Sequence, residues 1–401
     1  MSKVLVVGCG IIGPTIAIML RQRGYEVTIV ERIQRPESAA GVSLALQPNG
    51  QASSSPVLDT IGLANIGEPV LNIRDYNADG EYLGGLDISY AKEQYGFWPA
   101  FVRRGVLLQT LKAEAVRLGV QIHEDWELHD IDDLENGVVA TTKDGRTISA
   151  SFVVACDGLH STTRKIINQK HGISEPPANA TGQLSLSGIA PTPKSLAPQT
   201  VSAWMGESRL VVAFEVSRTH SGWTMILSTG SEKDTWRQVD KLEETRAELL
   251  DAVDGWPDAV RDLLESTEFI LRFGHFDRPT RAPEHWYHER CVLLGDAAHP
   301  SSPHRGQGAN QGLEDCWVLN QVLPGANKEL STVELATAFA SYAKKRQART
   351  AVTVQTARSQ GTERVAAGRE AGLVRDKMIR EQWADQEAAR AAYHDLWKEP
   401  Y

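Results

Sequence analysis

Cysteine is scarce in this sequence: the 401 residues include four, Cys9, Cys156, Cys291 and Cys316. They stand far apart, with no C-x-x-C pair and no Cys/His ligand spacing, which argues against a zinc site. Nor do so few cysteines make a disulfide framework for a chain of this length; they read as small buried residues. Long apolar runs are lacking too. No stretch approaches the roughly 18–20 apolar residues of a membrane span. The opening run Val4-Leu5-Val6-Val7 is too short for a signal-peptide core, so a cytoplasmic location is expected. Positive charge is not in excess: 42 Lys and Arg stand against 51 Asp and Glu, a net charge of −9. Net charge of that sign draws the chain neither to nucleic acid nor to an anionic membrane. Internal repeats and low-complexity segments are also missing.

What is present is the composition of an ordinary globular enzyme, 41% hydrophobic and 23% charged. At roughly 100–200 residues per domain the length allows two or three units. Residues 3–31 read as strand, turn, helix, strand. Val4 to Val7 is the first strand and Gly8-Cys9-Gly10-Ile11-Ile12-Gly13 the turn. Pro14 to Arg23 is helical, Gly24 stops it, and Val27 to Val30 is the second strand. Residues 103–123 form another helix-then-strand unit. Residues 138–156 read as one hairpin, Val138 to Thr142 and Thr147 to Cys156, turning at Asp144-Gly145. The Pro-, Ala- and Ser-rich stretch 175–200 reads as a crossing between domains. Strands follow at Arg209–Phe214 and Trp223–Leu227, a helical stretch at 240–265 and a strand at Phe269–Phe273. Residues 330–398 carry helical periodicity. This order fits a β-rich insertion in a nucleotide-binding domain.

The glycine loop carries the first chemistry. Gly8 permits a tight turn, Gly10 lets backbone approach a pyrophosphate, and Gly13 lets helix and strand pack closely. The helix start offers free N–H groups and a positive dipole end to phosphates. GxGxxG alone is a weak signal. Here a strand precedes it, a helix follows, and Glu31 closes the second strand, where an acid can accept both ribose hydroxyls of an adenosine. Glu31 also opposes a 2′-phosphate. At this point FAD and NAD both remain open.

A second glycine-rich stretch runs from Cys291 to Gly312. A buried strand ends at Gly295, and Asp296 can accept from a sugar-alcohol hydroxyl. Gly306 to Asn310 then present backbone N–H groups at a helix start, which suits negative charge on a reduced flavin. Here the sequence resembles the group A flavoprotein monooxygenases, the fold of para-hydroxybenzoate hydroxylase, over residues 1 to about 320. Gly295-Asp296-Ala-Ala-His299-Pro-Ser-Ser-Pro303-His304-Arg305-Gly-Gln-Gly308-Ala309-Asn310 matches the family's GD motif. Ala155-Cys156-Asp157-Gly158 through Arg164 matches its DG motif. Arg104-x-x-Leu107-x-x-x-Leu111 matches its arginine-led helix, with Arg103 the alternative if the register slips. Gly41-Val42-Ser43-Leu44 and Gln47-Pro48-Asn49 resemble the loop beside the flavin.

The resemblance implies an α/β protein. A Rossmann-type FAD domain is expected from 1–73, 98–180 and 275–330, with an inserted β-sheet substrate domain from 74–97 and 181–274. A C-terminal helical region, 331–401, follows. It implies FAD, NADH or NADPH as co-substrate, and O2. Oxygen transfer to an aromatic or other electron-rich small molecule runs through a flavin C4a-hydroperoxide, and the protein orients the cofactor and excludes water. The implied FAD contacts are Gly8, Gly10, Ile12, Gly13, Glu31, Arg32, Val42, Arg104, Asp157, Asp296, Gly308, Ala309 and Asn310. Pro303, His304 and Arg305 fall where the family surrounds the isoalloxazine. The family often carries an apolar or amide residue there, so His304 departs from the commonest pattern; a role at substrate or anionic flavin is expected for His304 or Arg305. His299 reads as a structural residue of its turn. Trp204, Arg209, Phe214 and Met225 are the candidate substrate contacts. Trp383, Tyr393, Trp397 and Tyr401 lie where C-terminal helices would cover the site or join two copies, leaving monomer and homodimer open. The alternatives are a flavin oxidase or reductase on the same fold, and a non-enzymatic flavin-fold binding protein. Peroxide yield and oxygen labelling of product separate them.

Overall fold

The computed structural model describes residues 2–33, 42–62, 67–228 and 237–398. Gly41 and Tyr401 lie outside them. The first strand, Lys3–Val7 (β1), has four buried aliphatic residues in succession, as a strand covered on both faces requires. Helix Ile12–Gln22 (α1) returns over it to Glu26–Val30 (β2). The next segment holds Ser43–Leu46 (β3), Pro48–Leu58 (α2), Gly67–Pro69 (β4), Asn72–Asn77 (β5), Tyr82–Asp87 (β6) and Ala91–Tyr95 (α3). Ala100–Arg103 (β7) leads straight into Arg104–Arg117 (α4), then Gln121–His123 (β8), Leu128–Leu134 (β9) and Gly137–Thr142 (β10). Thr147–Ala150 (β11), Phe152–Ala155 (β12) and Thr162–Lys170 (α5) close this half.

The second half opens with four strands, Asn179–Pro191 (β13), Thr200–Gly206 (β14), Arg209–Ser217 (β15) and His220–Ser228 (β16). Arg237–Gln238 (β17), Leu242–Ala252 (α6), Asp258–Glu265 (α7) and Phe269–Asp277 (β18) follow. Tyr287–His288 (β19) and Cys291–Leu293 (β20) return to the first half, and Gly308–Val322 (α8), Thr332–Arg364 (α9), Arg369–Ala384 (α10) and Gln386–Trp397 (α11) end the chain. Ser331 and Glu334 form a reciprocal capping box at the start of α9.

Two large sheets organise the molecule. The six-stranded sheet runs β19-β20-β12-β1-β2-β8, parallel except at the β19 edge. The eight-stranded sheet runs β17-β18-β13-β16-β15-β14-β5-β6 and is mostly antiparallel. One face of it packs on α6 and α7 through Leu184, Trp204, Met225 and Leu263. The other packs on α10 and α11 through Ala203, Leu210, Ile226 and Trp397.

The structure differs from two sequence expectations. Residues 179–191 are not a crossing but the thirteen-residue strand β13, paired on both sides. Its alternation Leu184-Ser185-Leu186-Ser187 puts leucines into the helix-covered core and serines on the opposite face, so a composition reading mistakes a two-faced strand for a loop. Nor is 147–156 one hairpin arm. β11 stays paired with β10, then the Ser151 N–H bonds the Lys3 carbonyl at 2.8 Å and the chain enters the parallel sheet as β12.

Candidate active site

A single cavity of about 1030 Å³ runs from the glycine loop to the face of the large sheet. At its first end Gly8 takes φ 101°, and a Cβ there would collide with the Cys156 carbonyl. A Cβ on Gly13 would collide with the Gly8 carbonyl. Neither position tolerates a side chain. Gly13 does not line the cavity, so its part is the close packing of helix on loop, whereas Gly8, Gly10 and Ile12 do line it. Helix α1 begins with no side-chain cap, which leaves its first N–H groups to an anion. Glu31 directly follows β2 and faces the same space; one oxygen accepts the Cys9 N–H at 2.8 Å and the other the Ile33 N–H at 3.1 Å. A carboxylate keeps further lone pairs for sugar hydroxyls. Arg32 and Val42 line the wall beside it.

The middle of the cavity is built by the two aspartate motifs. Asp157 accepts from the Thr163 N–H and hydroxyl at 3.0 and 3.1 Å, while its other oxygen has no partner among the described residues. Arg164, completely buried, ties the motifs together. It pairs with Glu175 at 2.9 Å and donates to the carbonyls of Leu159 and Ala297 at 2.6 and 2.9 Å. Asp296 opens onto the cavity. Enclosure by protein pushes its carboxyl up, against the pull of His299, Arg104 and Arg164. Arg104, the first residue of α4, lines the cavity and Arg103 does not. His299 turns away, bonded to Asp315 at 2.6 Å.

Helix α8 starts at Gly308 with no side-chain cap, and Gly308 and Ala309 face the cavity. Asn310 does not: its amide accepts the Gln47 N–H at 2.9 Å and donates to the carbonyls of Ala45 and Gly306. It brackets the loop at 45–47 against α8 rather than facing a ligand. Pro303, His304 and Arg305 line the cavity just before this helix. His304 donates from Nε2 to the Gln183 side chain at 2.7 Å, and Gln183 donates to the Gly361 carbonyl. Burial, with Arg364 nearby, pushes the His304 imidazole down to about 4. Its ring stands edge-on to His275 at 5.5 Å. His275 is itself pushed down to about 3 by burial and by His304, and bonds Ser185 Oγ at 2.6 Å.

The far end is the large sheet's inner face. Side chains alternate along its strands, so Leu210, Val212 and Phe214 of β15 face the cavity with Ser185, Ser187 and Ile226. Phe101 stacks on Phe214, centroids 3.7 Å apart. The same alternation corrects the substrate candidates. Trp204, Arg209 and Met225 have the opposite parity and lie behind the sheet. Trp204 stacks on Tyr76 at 5.6 Å, Met225 is core beneath α6 and α7, and Arg209 donates to the Ala252 carbonyl. The roof comes from the C-terminal helices: Tyr393, Leu396 and Trp397 face the cavity, and the Trp397 indole donates to Gln47 at 2.9 Å. Trp383 instead donates to Asp75 at 2.8 Å. Sequence reasoning missed Ser185, Ser187 and Phe101, which the alternation in β13 would have flagged for the serines. It also missed Arg364, which no local pattern marks.

A Rossmann-like half, an inserted sheet and one cavity spanning both define a two-part flavoprotein. The chain belongs to the family of FAD-binding domains: the family model described as "FAD binding domain" matches residues 1–357. It is similar to the 3-amino-4-hydroxybenzoate 2-monooxygenase of Streptomyces cremeus, 28% identical over 340 residues, 82% of this chain and 80% of the relative. It is also similar to the 6-hydroxynicotinate 3-monooxygenase of Pseudomonas fluorescens, 29% identical over 357 residues, 85% and 86% of the two chains. In fold it matches HpxO of Klebsiella pneumoniae, solved with FAD and uric acid, with TM-score 0.84, 21% identity and coverage of 99% and 97%. The protein is an FAD-dependent monooxygenase. No described helix is long and apolar enough to cross a membrane.

Proposed function

We propose that this enzyme hydroxylates a small aromatic substrate with NADH or NADPH and O2. The observation that carries the reading is the continuous cavity. One end has uncapped helix starts and carboxylates suited to a dinucleotide, and the other is an apolar chamber of ring-sized walls. Bound FAD, once reduced by the nicotinamide, supplies the electrons by which one atom of O2 enters the substrate and the other leaves as water.

The chain's own residues do the rest. The Gly8–Gly13 loop and the α1 start hold the pyrophosphate, Glu31 with Arg32 the adenosine end, and Asp296, Arg104 and Asp157 the middle of the cofactor. The Gly308 and Ala309 N–H groups, at the positive end of α8, would face the flavin ring and favour negative charge there. Pro303 fixes the backbone before that helix start. The inner sheet face and helix α11 exclude water from the reacting atoms.

The test is NADH and NADPH oxidation under air by the FAD-loaded protein against phenols, hydroxybenzoates and N-heteroaromatic acids, with ¹⁸O2 labelling of product. Substrate-stimulated consumption with one labelled oxygen in product is expected. Consumption that yields only peroxide with every substrate overturns hydroxylation in favour of an oxidase.

A further inference from the structure

Arg305 sits in the turn before α8 with its side chain in the cavity wall, half-buried. Its guanidinium makes no hydrogen bond or ion pair with any described residue. The charged and polar groups that act on it are Tyr393 of α11 and Arg364 of α9. Arg364 is already spent: it pairs with Asp75 at 3.0 Å, and the Trp383 indole donates to the same carboxylate oxygen. Glu363 and Asp385 reach the cavity rim but are exposed there. The chamber therefore contains two guanidiniums against one carboxylate, with Arg305 the unmatched charge.

An enclosed guanidinium without a partner is costly, and burial indeed pulls Arg305 below its ordinary value. Arginine's planar fork matches a carboxylate at two points. Glu31 and Arg32 belong to the other end of the cavity, and Asp296, Gly308 and Ala309 lie between, so Arg305 stands where the cofactor groups give way to the chamber. The charged and polar groups that act on Arg305 belong to α9 and α11. The walls of the same cavity include the apolar Ile73, Leu210, Val212 and the Phe101–Phe214 stack.

We infer that Arg305 is the anion anchor of the substrate chamber, and that the substrate is an aromatic carboxylate whose acid group docks on Arg305 beside the Tyr393 hydroxyl. This rests on the hydroxylase reading above and names its substrate class.

The test uses calorimetric titration of the FAD-loaded protein with hydroxybenzoate isomers and hydroxynicotinates, each beside its carboxamide. Carboxylates are expected to bind about 10- to 100-fold tighter than carboxamides, the size of a charge-assisted hydrogen bond. Arg305→Met should abolish that preference and Arg305→Lys should keep part of it, with retained FAD absorbance reporting an intact fold. Equal binding of acids and amides by the unmodified protein, or no binding of any acid at millimolar concentration, overturns the assignment without needing a variant. So does an Arg305→Met effect confined to the KM for NADH or NADPH, which would make Arg305 a nicotinamide-phosphate contact. The two readings fail separately. Neutral phenols hydroxylated as readily as the acids would sink the anchor and leave the hydroxylase. Tight acid binding with peroxide as the only product would sink the hydroxylase and leave the anchor.

Discussion

Arg346 and Asp315 meet with Nε and Oδ1 2.7 Å apart, both completely buried, and join helix α9 to helix α8. The second Asp315 oxygen accepts the Gly295 N–H at 2.8 Å and holds His299 at 2.6 Å. Burial raises the Asp315 carboxyl, but His299 and Arg346 outweigh it and hold it below its ordinary value. Arg346 also pairs with Glu314, which Arg349 holds from the other side at 2.8 Å. The turn that presents Asp296 to the cavity is thus braced from behind by a buried ion cluster.

Removing one member of such a cluster strands the others. Arg346→Met should cost about 3–5 kcal/mol and loosen the Asp296 turn. A urea titration followed by flavin fluorescence should show an earlier midpoint and weaker FAD retention. A midpoint within error of the unmodified protein would mean the cluster contributes nothing net.

Stability should begin to fall as pH drops through the ordinary histidine range. His275 and His304 are pushed down to about 3 and about 4, chiefly by burial, from an ordinary value of 6.5. Between pH 6.5 and pH 4 the unfolded chain binds protons that the folded chain refuses, so stability drops as pH falls. Each imidazole contributes a slope of up to about 1.4 kcal/mol per pH unit. Below about pH 4 His304 titrates within the fold and its share stops growing. Urea midpoints measured across this window should decline, and His304→Gln should remove roughly one imidazole's share. A flat profile would contradict the buried, neutral state of both rings.

Much of the nucleotide-binding half was legible because its constraints are local. Gly8 takes a positive φ within the turn, a Cβ on Gly13 would meet the Gly8 carbonyl five residues back, and the strand–turn–helix order follows from apolar periodicity. The substrate half was not legible because its decisive variable is parity. Trp204 and Met225 have the residue types expected of a substrate pocket, but one position along a strand separates the cavity face from the α6–α7 core. Asn310 was misread for a different cause: its motif match was clear, but its partners, Ala45 and Gln47, come from a distant loop.

That parity has a measurable consequence. Trp204→Ala, behind the sheet, should cost about 3–5 kcal/mol of stability while leaving the substrate KM of the surviving folded enzyme little changed. Phe214→Leu, on the inner face, should lose the stack on Phe101, a term of about 0.5–1.5 kcal/mol, and raise the substrate KM. Thermal melts and steady-state kinetics of the two variants, side by side, check the assignment. A KM shift from Trp204→Ala as large as that from Phe214→Leu would contradict it.

Gly361 gives the sharpest packing test. It lies inside α9, where Gly→Ala ordinarily stabilises a helix by roughly 0.5–1 kcal/mol. Here an added Cβ would stand 2.5 Å from both Cδ2 and Nε2 of the His304 ring and 3.2 Å from the Gln183 side-chain oxygen. The ring is pinned by its bond to Gln183 and cannot swing clear without breaking it. Gly361→Ala should therefore reverse sign and destabilise by about 1–3 kcal/mol. Pairing it with His304→Ala removes the obstacle, so the alanine at 361 should then stabilise relative to His304→Ala alone. A double-mutant cycle in urea reads the difference as a coupling between the two sites. Zero coupling would mean that α9 does not press on His304, and that the ring's place in the cavity wall is set by Gln183 alone.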